Sequence, residues 1–67
     1  MLGKCGDLMG EEAVVIVNYG NNTVALIGNV YLEVIYFNKL RLRLIDKNGK
    51  THIINWEYVI EVQPLCG

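Results

Sequence analysis

Lys39-Leu40-Arg41-Leu42-Arg43-Leu44, followed by Asp46-Lys47-Asn48-Gly49-Lys50 and Thr51-His52-Ile53-Ile54-Asn55, decides the class of this chain. Basic and apolar side chains alternate with period two in the first segment, the signature of a half-buried strand. That phase turns Leu40, Leu42 and Leu44 toward a core and Lys39, Arg41 and Arg43 toward the opposite face. Asn48-Gly49 supplies residues that accept the positive φ angles of a tight turn, so Thr51–Asn55 is predicted to return as the second arm of a hairpin.

Working outward, a last strand runs from Val59 to Gln63 and stops at Pro64, which has no amide to donate to a ladder. Upstream, Ala13-Val14-Val15-Ile16-Val17 is β-branched and too short for an independent helix, and Tyr19-Gly20-Asn21-Asn22-Thr23 is a turn cluster. The first strand is therefore placed at about residues 12–19. From Thr23 to Phe37 no further turn signal occurs, and Val24, Leu26, Val30, Leu32 and Val34 share one parity. So long a strand must bend across the core, and Gly28 is where bending costs least. Five strands without a strong helix give an all-β domain, a small SH3-like or OB-like barrel. Residues 1–10 are expected to be a short irregular segment or one helical turn, and residues 11–67 the barrel.

Composition bounds the function classes. The chain has 67 residues, 52% of them apolar, and a net charge of -1. That length allows one domain with a marginal core, which favours self-association as the source of extra stability. Near neutrality excludes a polybasic nucleic-acid coat, so any nucleic-acid contact is local. Charged residues Lys4, Asp7, Glu11 and Glu12 interrupt the start before a signal-peptide run develops, and the uncharged stretch 13–32 contains Asn18, Gly20, Asn21, Asn22, Gly28 and Asn29. No secretion signal and no membrane helix is expected, and the cytoplasm is the default location. Asn21-Asn22-Thr23 fits a glycosylation sequon but is taken as a turn. Cys5 and Cys66 lack metal or redox spacing; if the termini meet they could form a disulfide, and otherwise they are two free thiols.

This order of elements resembles the Sm-like family, which comprises the archaeal and eukaryotic Sm and Lsm proteins and the bacterial Hfq proteins, over about residues 13–64. The second Sm motif typically reads Ile-Arg-Gly-Asp or Asn, then spaced apolar residues and often a proline; Ile54-Asn55-Trp56-Glu57-Tyr58-Val59-Ile60-Glu61-Val62-Gln63-Pro64 follows that spacing. In the first motif, Gly28, Val30, Tyr36 and Asn38 stand at the family's separations. The resemblance implies a five-stranded SH3-like (Sm-like) barrel with a strongly bent second strand, a homo-oligomeric ring of five to eight subunits, and binding of single-stranded RNA, uridine-rich or adenine-rich. Three departures stand beside it. Val34 occupies the place of the family's aspartate, and Asn55 and Trp56 replace its arginine and glycine. Lys39 and Arg41 fall where apolar residues are usual, a slip of one that requires a bulge unless Asn38 matches by chance.

Single-stranded RNA is held by stacking on aromatic faces and by amide hydrogen bonds to base edges. Tyr36 is accordingly the candidate stacking residue, Asn38 and Asn55 the candidate base readers, Trp56 a second platform, and Lys39 a phosphate contact together with Arg41 and Arg43. The competing assignments are a subunit-interface role for Tyr36, strand-end caps for the asparagines, a core anchor for Trp56, and ion pairs with Glu33, Glu57 or Glu61 for the cations. Catalysis has little material: His52 is the single histidine and there is no serine. No enzyme, metal or cofactor is expected. The expected function is a ring-forming RNA-binding protein, and the alternative is a structural or protein-binding oligomeric barrel that has lost the RNA pocket.

Overall fold

The computed structural model describes residues 8–65. Cys5, Cys66 and most of the N-terminal segment lie outside them, and so does any bond between the two cysteines. Five strands form: β1 (Met9–Tyr19), β2 (Asn22–Val34), β3 (Leu40–Ile45), β4 (Thr51–Asn55) and β5 (Val59–Pro64), with a 3-10 turn at Trp56–Tyr58. They make one antiparallel sheet in the order β4-β3-β2-β1-β5, so β4 and β5 are its edges. The all-β class and the five strands read from the sequence are those observed.

β2 is shared between two partners. Residues 22–31 pair with β1, from Tyr19↔Asn22 to Met9↔Tyr31, and residues 29–34 pair with β3, from Asn29↔Ile45 to Val34↔Leu40. The change of partner falls beside Gly28. A Cβ there would collide with the Ile45 carbonyl oxygen and lie 2.8 Å from Leu44 Cδ2. Glycine is thus required where two backbones approach closely, at the position the strand's length singled out.

The core consists of Ala13, Val15 and Val17 from β1, Val30 from β2, Leu42 and Leu44 from β3, and Ile54 from β4. Leu8, Leu26, Leu32, Trp56, Val59 and Val62 pack around it, half-buried. The β3 alternation behaves as its pattern requires, with Leu42 and Leu44 fully buried and Leu40 half-buried at the rim.

Local chemistry decided several boundaries differently from the sequence reading. β1 begins at Met9 rather than near residue 12, because its register shift between Met9 and Glu12 accommodates Gly10 at φ 102° beneath the Tyr31 ring. β2 ends at Val34 instead of continuing to Phe37. A turn closes there, with Ile35 N–H donating to the Lys39 carbonyl and Lys39 N–H to the Tyr36 carbonyl, both at 2.8 Å. Phe37 and Asn38 hold left-handed φ values of 51° and 63°. Val34 has core parity yet is 69% exposed, since it lies past the end of the core. The β2–β3 ladder is regular from Leu40 to Ile45, so no bulge in β3 absorbs the one-residue offset, which leaves the match of Asn38 to the first motif as one of chance. In the β3–β4 hairpin only Gly49, at φ 82°, is left-handed. Gly49 N–H donates to the Asp46 carbonyl, and the Asp46 carboxylate takes the N–H groups of Asn48 and Lys50. That side-chain capture favours a type I turn followed by a left-handed glycine over a two-residue Asn-Gly turn.

Candidate functional site

The β2–β3 turn and the exit of β4 meet at one end of the sheet because the hairpin register sets Arg41 opposite Asn55. Four of the five candidate residues converge there. Asn38, Lys39, Asn55 and Trp56 line a cavity of about 520 Å³ together with Ile35, Leu40, Arg41, Ile53 and Glu57. Pockets for small ligands span about 300–1,000 Å³, so the space suits a nucleoside.

Tyr36 is outside this lining. It is 59% exposed at the tip of the β2–β3 turn, with its ring centroid 5.2 Å from that of Phe37 in an edge-to-face arrangement. Phe37, 87% exposed, is an aromatic face that the sequence reading passed over. Its signal was adjacency to Tyr36 in a stretch read as strand.

Asn55 caps the 3-10 turn: its Oδ1 accepts the Glu57 N–H at 3.3 Å. That uses one of the amide oxygen's two lone pairs and leaves the Nδ2 hydrogens without a partner among the described residues. Asn38 tolerates left-handed backbone as few residues do, and no side-chain hydrogen bond of Asn38 occurs among the described residues. Trp56 is half-buried; it packs against the core and also lines the cavity.

The cations divide. Arg41 Nε and Arg43 Nε each donate to a separate oxygen of Glu33 at 3.0 Å, and the Arg43 guanidinium lies 4.5 Å from the Tyr31 ring centroid. Hydrogen bonds from Arg41 and then Arg43 hold the Glu33 carboxyl below the ordinary carboxylate range. These two arginines are occupied with Glu33 and do not form, with Lys39, the free basic stripe that the alternation suggested. Lys39 and Glu57 make no ion pair among the described residues. Lys39 and Glu57 are thus the two charged lining residues that have no ion pair among the described residues.

His52 lies away from the cavity and donates through Nε2 to Asp46 Oδ2 at 2.9 Å. This bond, and then the backbone N–H of Lys50, holds Asp46 below the ordinary carboxylate range. His52 thus closes the hairpin. Among the described residues no group of three or more His, Cys, Asp or Glu side chains is placed to hold a metal ion. Among the described residues no helix is long and apolar enough to cross a membrane.

No family model, curated protein or solved structure matches the chain.

Proposed function

We propose that this chain is a cytoplasmic Sm-like protein, an SH3-like barrel that assembles into a homo-oligomeric ring and binds single-stranded RNA in the cavity beneath the β2–β3 turn. The observation that carries the reading is the convergence of Asn38, Lys39, Asn55 and Trp56, from two separated stretches of sequence, on one cavity. Amide, cation and aromatic face are the three chemistries that single-stranded RNA recognition combines. Exposed Tyr36 and Phe37 beside it extend the stacking surface.

The sheet edges support assembly. β4 and β5 each pair on one side only, and Ile53, Tyr58 and Ile60 near them are 54%, 50% and 57% exposed. A neighbour's strand added to either edge would satisfy its backbone groups and cover this apolar surface.

A scaffold or protein-binding barrel without RNA is the second reading. It is favoured by the exposed run Val34-Ile35-Tyr36-Phe37 and by the engagement of Arg41 and Arg43 with Glu33. Fluorescence anisotropy with a labelled mixed-sequence RNA separates the two. Salt-sensitive binding that Asn38→Gly and Tyr36→Ala each weaken supports the RNA reading. Binding indifferent to both changes removes the site assignment, and absence of binding by a folded oligomer favours the scaffold.

A further inference from the structure

We infer that the cavity selects guanine, with the Glu57 carboxylate taking the base's N1–H and N2–H donors while Lys39 and the Asn55 amide face its O6 and N7 acceptors over the Trp56 ring. The inference rests on the RNA-binding reading and deepens it. The family resemblance pointed to uridine or adenine, but the donors and acceptors lining this cavity favour another base.

An ionised carboxylate only accepts hydrogen bonds, and two parallel N–H donors on adjacent atoms satisfy it best. Among the RNA bases, guanine alone presents such a pair. Uracil's single N–H lies between two carbonyl oxygens that a carboxylate repels. Adenine and cytosine each set one amino group beside a bare ring-nitrogen acceptor, which faces the second carboxylate oxygen unfavourably. Glu57 is a lining residue of the cavity and has no ion pair among the described residues, so its carboxylate is within reach of a base bound there. The same charge repels phosphate and directs the base, not the backbone, into the cavity.

The opposing groups agree. Asn55 Oδ1 already accepts the Glu57 N–H, while both Nδ2 hydrogens are unused as donors among the described residues. Lys39 is donor-only, and lysine meeting the O6/N7 edge is a common guanine contact. Arg41, committed to Glu33, leaves Lys39 as the cavity's uncompensated cation among the described residues.

Trp56 is the single tryptophan, so its fluorescence reports on the cavity directly. The probes are uridine heptamers carrying G, A, C or U at the central position, which avoids self-associating G runs. The G heptamer is expected to quench Trp56 and bind about tenfold more tightly than the other three, as one bidentate pair allows. Glu57→Gln keeps the backbone N–H that Asn55 caps, so the fold is retained; it should reduce the preference to about twofold or less. Equal affinity for all four heptamers, or preference for U or A, overturns guanine selection and leaves the RNA reading standing. A guanine preference that survives Glu57→Gln overturns the role of Glu57. If neither the heptamers nor mixed-sequence RNA binds, the RNA reading falls and guanine selection with it.

Discussion

Gly28 and Asn38 show how much single positions decide. A methyl group at residue 28 would collide with the Ile45 carbonyl, so Gly28→Ala must push β2 and β3 apart at the centre of the sheet. The expected cost is about 3 kcal/mol, the upper range for overpacking, read as a lowered urea midpoint. Asn38 carries a separate test because its backbone and side chain are separable. Left-handed φ is easy for glycine and costs alanine about 1 kcal/mol. Asn38→Gly should therefore fold at least as well as the parent while losing RNA affinity, whereas Asn38→Ala loses both. Equal RNA binding by parent and Asn38→Gly in anisotropy would remove the side chain from the site. Gly28 was legible because a strand so long must bend. The left-handed Phe37 was not, because aromatic residues favour strand and nothing local marks Phe37 as a turn residue. Asn38, the residue type that tolerates this backbone, was the available hint.

At the scale of elements, the β3–β4 hairpin was the most legible part of the chain, since strict alternation and a turn composition agree there. Its register also assembles the site: once Ile45 pairs with Thr51, Arg41 must face Asn55, and the turn before β3 comes alongside the exit of β4. What alternation could not reveal was which cations remain free, because Glu33 reaches Arg41 and Arg43 only through cross-strand pairing. The hairpin closure is pH-dependent. Asp46 is stabilised as a carboxylate by His52 and by the Lys50 and Asn48 amides, which places its folded pKa below the unfolded value. Its contribution is present above the ordinary carboxylate range and disappears as pH falls through the lower, folded value. Glu33 adds a second contribution of the same sign. Urea midpoints measured from pH 6 down to pH 2 should fall steeply at the acid end for the parent and more shallowly for Asp46→Asn, whose amide oxygen still accepts the turn's N–H groups. An unchanged acid limb in Asp46→Asn would assign the acid sensitivity to other groups.

At the scale of the whole molecule, the main constraint is that the seven fully buried side chains among the described residues are few for a sheet of five strands. Marginal cores of this size are commonly completed by association. β4, with neither lysine nor proline, is the more open edge, while β5 carries a bulge at Ile60, the charge of Glu61 and a terminal Pro64. Isolated sheet proteins usually blunt such edges with charge. Ile60 is the informative position. It is the extra residue where the β1–β5 register shifts between Ile16↔Glu61 and Val17↔Val59, and it is 57% exposed on the edge strand. Ile60→Lys costs little in a single subunit, since an exposed lysine is well solvated there. In an assembly sealed along β5 it would place a charge inside the interface. Native mass spectrometry after nuclease treatment should therefore find the parent at a discrete multiple of 7.6 kDa, between five and eight, and Ile60→Lys at or near one subunit with an unchanged far-ultraviolet circular dichroism spectrum. A parent that is itself a monomer removes the ring. An Ile60→Lys variant that keeps the parent's mass moves the interface away from β5 and toward the exposed run 34–37, the surface on which the scaffold reading depends.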